Sequence, residues 1–349
     1  MIRKLAVLAT AALGLAIAPT AAQAQLITAP AAVVPANIKV ETIKVRGPSL
    51  EGNLEGNAVE REVQVVLPPS YGKDKNKRYP VVYYLHGFSI DGRNFYNFMK
   101  VPEAVANSAA RGAEFIVVVP DTLTKMGGSM YATSVTTGDF RTFIAKDLVD
   151  YIDKNYRTIA RRDGRGLVGH SMGGHGTWTI GMNYPDVFNS IYAQSACCVS
   201  PRTETPESAQ KLSSLPIEEG VKADFGTRAA LASVVAWSPN PQNAPYYADF
   251  PYKDGKVDNM VLAKWANNSP LAMVASHIPA LKSFKAIGAD VGDKDGLVTD
   301  DTMIHEELER FGIAHDWAIY DGDHVNRIGQ RFDEVVLPFF AKHLDKPGK

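Results

Sequence analysis

Residues 167–177 read L-V-G-H-S-M-G-G-H-G-T, in which Gly169, Ser171 and Gly173 have the G-x-S-x-G spacing of a nucleophile elbow. In such an elbow a strand turns sharply into a helix and leaves one serine at the tip. A side chain on so tight a turn needs a strained backbone, and its neighbours two residues away must be small to avoid collision. A chance glycine-serine loop is the alternative, but a strand pattern precedes the motif and a helix pattern follows it. The stretch therefore predicts that Ser171 is a nucleophile.

Two backbone N–H groups are candidates to stabilise an oxyanion beside this serine. A helix that begins after Ser171 directs its positive end and the N–H of Met172 toward that position. A second donor is expected from the loop after an earlier strand, and Y-Y-L-H-G-F at residues 83–88 fits. Gly87 permits the turn that directs the N–H of Phe88. We therefore predict an oxyanion hole formed by Phe88 and Met172.

The start of the chain has the features of a secretory signal peptide. Two basic residues precede an apolar run at 5–18, and A-Q-A at residues 22–24 provides a small-residue cleavage site. A membrane anchor is the alternative, but the run is short for a bilayer and ends at Pro19. We predict cleavage after Ala24, so that residues 1–24 are a signal peptide and the protein is exported, to the periplasm or as a secreted protein. No later segment predicts a membrane span.

The composition is that of an ordinary globular protein, with 45% hydrophobic and 21% charged residues among 349. The chain carries 37 basic and 38 acidic residues, and loss of the signal peptide with Arg3 and Lys4 leaves a formal charge of −3. This balance, without long basic runs, gives no reason to expect nucleic acid or an anionic membrane as partner. The only cysteines, Cys197 and Cys198, are adjacent and cannot close a long loop. They are either small apolar fillers or a vicinal disulfide.

The order of apolar segments predicts an open α/β sheet that occupies residues 38–345. Alternation at 40–45 and 59–67 indicates a hairpin-like start, after an Ala- and Pro-rich stretch at 25–37 that we expect to be a flexible tether. Short apolar runs then predict buried strands at 80–85, 114–119, 166–169, 190–195 and 284–288, with helices at 139–155 and 299–311 among the later segments. Residues 317–320 predict one more strand. Strands that alternate with helices are typical of a parallel sheet with helices on both faces.

The region 199–277 breaks this rhythm and predicts an insertion over the C-terminal edge of the sheet. Its aromatic residues either form a small core of the insertion or line a substrate pocket. They are Trp237, Tyr246, Tyr247, Phe250, Tyr252 and Trp265.

The C-terminal third supplies candidates for a base and an acid. His324 ends D-G-D-H directly after a predicted strand, and three aspartates, Asp290, Asp293 and Asp295, lie in A-D-V-G-D-K-D-G at residues 289–296. Loops at one end of parallel strands converge, so these side chains can meet the nucleophile. Spacing alone leaves the choice of aspartate open. A calcium loop is a further alternative, but the loop lacks EF-hand spacing and its closing glutamate, so we predict no metal and no cofactor.

With these residues identified, the chain resembles the esterase D branch of the α/β-hydrolases, which includes feruloyl esterases, S-formylglutathione hydrolases, siderophore esterases and mycolyltransferases. The resemblance covers roughly 59–344 and is carried by V-V-L-P-P-S-Y, R-Y-P-V-V-Y-Y-L-H-G, G-H-S-M-G-G-H-G, V-G-D-K-D and D-G-D-H. It implies the α/β-hydrolase fold and an ester hydrolase with Ser171 as nucleophile, His324 as base and Asp295 as acid, since the family's acid follows a glycine by three residues. S-formylglutathione hydrolases usually have Leu-Ser-Gly where this chain has Leu-His-Gly, which disfavours that member.

The first hypothesis is an exported serine carboxylesterase that forms an acyl-enzyme with a small or plant-derived ester, feruloyl-type aromatic esters included. The second is an acyltransferase of the same fold, similar to the mycolyltransferases. The third is a non-catalytic binding protein, which an intact set of serine, aspartate and histidine disfavours. The substrate pocket is expected to include His86, Gly87, His170, Cys197 and Trp237.

Overall fold

An eight-stranded sheet runs through the computed structural model, which describes residues 26–348. In chain order the strands are β1 (Lys39–Arg46), β2 (Glu60–Leu67), β3 (Val81–Leu85), β4 (Ile116–Pro120), β5 (Arg165–His170), β6 (Ser190–Gln194), β7 (Ala286–Gly292) and β8 (Asp316–Tyr320). Their spatial order is β1-β2-β4-β3-β5-β6-β7-β8. β2 pairs antiparallel with both β1 and β4, and all other neighbours are parallel. The mostly parallel sheet predicted from the sequence is therefore confirmed.

Helices cover both faces of the sheet, because its central strands are apolar on both sides. Successive residues of β3 separate into two cores: Tyr83 belongs to one cluster with Trp178, whereas Tyr84 belongs to the other with Phe95 and Phe340. The helices are α1 (Gly92–Phe98), α2 (Val101–Ala110), α3 (Phe140–Thr142), α4 (Val149–Asn155), α5 (Met172–Asn183), α6 (Pro206–Ser213), α7 (Ile217–Gly220), α8 (Phe225–Trp237), α9 (Asn259–Ala266), α10 (Pro270–Met273), α11 (Ile278–Ser283), α12 (Val298–Arg310), α13 (Ile328–Arg331) and α14 (Leu337–His343). Two π-helical segments, Phe143–Leu148 and Phe332–Val336, join α3 to α4 and α13 to α14.

The carboxyl ends of the parallel strands lie side by side. The register pairs Leu85 with Gly169 and Gly292 with Tyr320, so the loops that follow these strands leave the sheet at one edge. One boundary differs from the prediction: β7 runs to Gly292 rather than ending near Gly288. Asp290 therefore lies inside a buried strand, where Arg331 compensates its charge.

The segment between β6 and β7, where an insertion at 199–277 is predicted, contains α6 to α11. α8 reaches the loop after β3, where the Arg228 guanidinium donates to Ser89 Oγ at 2.8 Å. The indole rings of Trp237 and Trp265 are buried, with centroids 6.4 Å apart. These two rings support the interpretation that the aromatic residues form a core of the insertion itself.

The described residues before β1, from Leu26, lie along the domain, within the stretch 25–37 for which a flexible tether is predicted. The N–H of Ile27 donates to the Ser89 carbonyl at 2.8 Å, and that of Ala29 donates to Asn94 Oδ1 at 3.0 Å. An extended Ala- and Pro-rich chain leaves its N–H groups free, and the amide side chains of α1 accept them.

The predicted signal peptide, 1–24, lies outside the described residues. Within 26–348 no helix has the length and hydropathy needed to cross a bilayer.

Candidate active site

The turn at Ser171 has the strained geometry expected of a nucleophile elbow. Ser171 has φ 56° and ψ −116°, a conformation that is costly for a residue with a side chain. A Cβ on Gly169 would lie 2.1 Å from the carbonyl oxygen of Gly173, and a Cβ on Gly173 would lie 2.1 Å from that of Leu85. Only glycine fits at either position, because neither the contact of α5 with β5 nor that of α5 with β3 leaves room for a methyl group.

A chain of two hydrogen bonds links the three predicted catalytic side chains. His324 Nε2 lies 3.0 Å from Ser171 Oγ, and His324 Nδ1 lies 2.8 Å from Asp295 Oδ2. The Asp295 side chain is 2% exposed and that of His324 is 35% exposed. A serine, an imidazole and a buried carboxylate in this order can move a proton from the hydroxyl to Nε2.

The three candidate aspartates have three different partners. Asp290 accepts from Arg331 Nε at 2.6 Å and from Tyr192 at 2.9 Å, in the interior of the protein. Asp293 Oδ1 accepts the N–H of Gly322 at 3.0 Å and so fixes the loop that carries the histidine. Only Asp295 contacts His324 among the three, which agrees with the assignment that the family resemblance implied.

Two opposing effects set the charge of Asp295. Burial raises the pKa of its carboxyl, but hydrogen bonds from His324 and from the Leu297 N–H, at 2.8 and 2.9 Å, outweigh burial and hold that pKa below its usual value. The carboxylate therefore stays ionised and can accept Nδ1–H, which leaves the Nε2 lone pair of His324 for the serine hydroxyl.

The acid loop and the histidine loop are joined to each other. The N–H of Asp293 donates to the Tyr320 carbonyl at 2.8 Å, and that of Lys294 donates to the Gly322 carbonyl at 2.9 Å. Gly292 lies in this contact, and a Cβ there would come within 2.2 Å of the Gly322 carbonyl oxygen. The distance from Asp295 to His324 is thus set by backbone contacts rather than by side-chain flexibility.

His170 holds the loop that carries His324 through a hydrogen bond to the backbone of that loop. Burial, reinforced by the nearby His324, lowers the pKa of His170 to about 3, so the ring is neutral. Its Nε2 lies 2.8 Å from the carbonyl oxygen of His324, so Nε2–H is the donor in this bond. His170 was expected in the substrate pocket, but it is 5% exposed and holds the backbone of His324.

The N–H groups of Met172 and Phe88 are the candidate donors for an oxyanion at Ser171. Met172 is the first residue of α5, and the Gly87 backbone passes the serine so closely that a Cβ on Gly87 would lie 3.4 Å from Ser171 Cβ. Within 26–348, neither the Met172 N–H nor the Phe88 N–H is bonded to another protein group. Such donors are available to a developing negative charge.

A buried histidine orients the second of these donors. His86 Nδ1 lies 2.8 Å from the Gly87 carbonyl oxygen, while its Nε2 accepts the Thr122 N–H at 2.8 Å. Burial lowers the pKa of His86, so the neutral ring donates from Nδ1. In the trans peptide that follows Gly87, carbonyl and N–H point in opposite directions, so this bond turns the Phe88 N–H away from His86. His86 is fully buried and holds the loop after β3 rather than lining an open pocket.

Of the other predicted pocket residues, Trp237 is buried against His175 and Trp265, with its ring 5.5 Å from that of His175. Cys197 is half-buried, and its N–H donates to the Ser171 carbonyl at 3.0 Å. Both cysteines are free thiols, with the sulfur atoms 2.9 Å apart.

Sequence reasoning missed one exposed ring beside the site. Phe225, the first residue of α8, is 56% exposed and lies edge-on to the ring of Phe88, with centroids 5.3 Å apart. Nothing in the local pattern indicates this contact, because the two residues are 137 positions apart and belong to different layers.

Comparisons with known proteins identify the family. The family model Esterase, described as "Putative esterase", matches residues 57–327. Esterase MT1326 of Mycobacterium tuberculosis is 32% identical over 141 residues, which are 38% of this chain and 28% of that protein. An endo-1,4-beta-xylanase/feruloyl esterase of Xylanibacter ruminicola is 32% identical over 139 residues, which are 38% of this chain and 19% of that protein. The chain thus spans less than a third of the length of these two relatives.

The solved structures include a ferulic acid esterase that superimposes with a TM-score of 0.61 at 22% identity. The match covers 88% of this chain and 99% of that structure, and it confirms the α/β-hydrolase fold. Since the family model covers most of the chain, the protein belongs to the putative esterase family.

Proposed function

We propose that the protein is a serine carboxylic-ester hydrolase with Ser171 as nucleophile, His324 as general base and acid, and Asp295 as its partner. One observation carries this proposal: hydrogen bonds of 3.0 and 2.8 Å link Ser171 to His324 and His324 to Asp295. The N–H groups of Phe88 and Met172, which have no protein partner within 26–348, are the proposed oxyanion donors. Nucleophile, base, orienting carboxylate and oxyanion donors are the complete set that acyl transfer through a serine requires.

In the first half-reaction Ser171 Oγ attacks the ester carbonyl carbon while His324 Nε2 takes the hydroxyl proton. The carbonyl oxygen becomes an oxyanion that accepts hydrogen bonds from the N–H groups of Phe88 and Met172. His324 then donates the proton to the alkoxide leaving group, and an acyl-enzyme remains. In the second half-reaction water gives its proton to His324, attacks the acyl carbon and releases the acid, and the proton returns to Ser171.

The proposed substrate is a small ester, with aromatic acyl groups included. The exposed ring of Phe225 next to Phe88 supports this choice, since it offers an apolar edge beside the proposed oxyanion hole. The feruloyl esterase relative and the ferulic acid esterase structure agree with an aromatic ester. We further propose that the protein acts after export, on the basis of the signal-peptide features of residues 1–24.

The test is hydrolysis of p-nitrophenyl acetate, p-nitrophenyl butyrate and methyl ferulate by the wild type and Ser171→Ala. We expect the variant to fold normally and to lose activity by several powers of ten, as removal of a triad member does. A variant that retains wild-type turnover would refute the role of Ser171. Addition of an alcohol separates hydrolysis from acyl transfer, because a transferase yields a new ester whereas a hydrolase yields only the free acid.

A further inference from the structure

The adjacent cysteines lie in direct backbone contact with the proposed nucleophile. The carbonyl oxygen of Ser171 accepts two N–H groups, that of His175 in the first turn of α5 and that of Cys197, each at 3.0 Å. Cys197 and Cys198 follow β6 by only two residues, and Cys198 has φ +57°. The loop that carries the thiols therefore forms one of the two hydrogen bonds that hold the carbonyl of the elbow.

The loop is also fixed against its other neighbours. The Ser195 N–H donates to the Asp290 carbonyl at 2.7 Å, and the Ala196 N–H donates to Asp301 Oδ1 at 3.2 Å. A Cβ on Gly174 would lie 2.8 Å from the Cα of Ala196, so α5 and the loop are in close contact. Because these contacts leave no free space, a backbone displacement at 197–198 is transmitted to the turn at Ser171.

The two thiols are suited to react with each other. Their sulfur atoms are in contact, and both residues are half-buried rather than sealed in the core. The hydrogen bond from Cys197 lowers the pKa of the Cys198 thiol, whereas the same bond, together with burial, raises that of Cys197. Cys198 is thus the thiol that ionises first, and a thiolate is the species that attacks a disulfide.

We propose that Cys197 and Cys198 are a site of reversible oxidation. A small-molecule disulfide oxidises the two thiols to a vicinal disulfide bridge, and this bridge slows acyl transfer at Ser171. The Cys198 thiolate attacks one sulfur of the small disulfide and releases its other half as a thiolate. The Cys197 sulfur, after losing its proton, then attacks the Cys198 sulfur and releases the second half. Two protein thiols are oxidised and one small disulfide is reduced to two thiols. The effect on acyl transfer rests on the proposed function.

Bridging requires the backbone to change. Neighbouring Cα atoms are 3.8 Å apart across a trans peptide, whereas cystines usually have Cα atoms 4.4–6.8 Å apart. The bridge therefore distorts the loop whose N–H donates to Ser171, and a strained bridge is readily reduced again. A displacement of about 1 Å at a reacting group can cost about 10²-fold in rate, so we expect the bridged form to have a kcat at least about tenfold lower.

The experiment treats the protein from residue 25 onward with oxidised glutathione and follows three readouts. Intact mass distinguishes a bridge, which removes two hydrogens, from an added glutathione. Turnover of p-nitrophenyl acetate reports the effect on catalysis, and dithiothreitol should restore it. Hydrogen exchange of residues 171–177 reports the elbow without any need for activity, because the His175 amide donates to the Ser171 carbonyl.

We expect the wild type to lose two hydrogens, to turn over at least about tenfold more slowly and to exchange faster at the elbow. Cys198→Ser keeps the Cys197 N–H and cannot form the bridge, so its exchange should be unchanged by the same treatment. If the mass of the wild type does not change, the cysteine pair is not an oxidation site. If the bridge forms but hydrogen exchange at 171–177 does not change, the bridge is not coupled to the turn at Ser171. If the reduced wild type cleaves no ester, the proposed function fails, while mass and exchange still decide this proposal.

Discussion

Replacement of Asp295 by asparagine would reverse one hydrogen bond without changing the size of the side chain. Asp295 accepts two N–H donors, that of Leu297 at 2.9 Å through Oδ1 and that of His324 Nδ1 at 2.8 Å through Oδ2. An amide can accept through only one of these positions. The backbone N–H cannot reverse but the imidazole can change tautomer, so the amide NH₂ should face His324.

The His324 ring then carries its proton on Nε2, which lies 3.0 Å from Ser171 Oγ. A nitrogen that donates cannot accept the serine proton, so the base is lost although all three side chains remain in place. The corresponding change in a well-studied serine protease lowers kcat by about 10⁴. We expect a loss of similar size here, which corresponds to about 5.5 kcal/mol in the activation free energy.

The assay is steady-state hydrolysis of p-nitrophenyl acetate by the wild type, Asp295→Asn and the matched control Asp293→Asn. Asp293 accepts one backbone N–H, from Gly322, so its replacement should keep activity within about tenfold. If Asp295→Asn keeps more than a tenth of the wild-type kcat, or if Asp293→Asn is the more damaging change, the assignment of the acid is wrong.

Three further changes test other parts of the structure. Burial raises the pKa of Glu55 from 4.5 to about 6, so its stabilising contribution is complete below pH 4.5 and is lost as the pH rises through 6. In urea titrations from pH 4.5 to 7, the free energy of unfolding of the wild type should therefore fall by about 2 kcal/mol more than that of Glu55→Gln. Equal pH dependence of the two proteins would contradict this. Phe225→Ala should raise KM about fivefold for methyl ferulate but not for methyl acetate, whereas Met260→Ala, another exposed change in the insertion, should alter neither. His170→Phe keeps a ring but loses the donor to the carbonyl of His324, so kcat should fall about tenfold at constant KM, and an unchanged kcat would count against its positioning role.

The elbow could be predicted from sequence because its residue spacing is local. Gly169 is required by its contact with Gly173, and Gly173 by the Leu85 carbonyl oxygen of β3, so both glycines fall within two residues of Ser171 and leave a readable spacing. The buried strands were predictable for a similar reason, since a segment covered on both faces is a continuous apolar run. In both cases the pattern is visible within one short stretch of the chain.

The choice among the aspartates could not be made from local sequence. Asp290, Asp293 and Asp295 lie within six residues, and what separates them is a partner far along the chain, Arg331 for the first and Gly322 for the second. The same distant arginine explains why the predicted end of β7 was too early. A charged residue normally ends a buried strand, but a paired charge can remain inside it.

The surroundings of the site were the least predictable part. Arg228 and Phe225 come from the insertion and contact Ser89 and Phe88, yet neither has a motif or a periodicity that indicates this. His86 was expected in the pocket, but its side chain bonds to Thr122, a residue of another loop. Such contacts arise from how layers pack, and a single sequence does not encode them in a local pattern.

The most direct test of the central claim is to trap the acyl-enzyme. The wild type is mixed with p-nitrophenyl acetate, quenched in acid during turnover, digested and analysed by mass spectrometry. The account predicts one acetyl group on the peptide that contains Ser171, absent from Ser171→Ala and accumulating more slowly in Asp295→Asn. An acetyl group on another residue, or turnover with no adduct on this peptide, would contradict it.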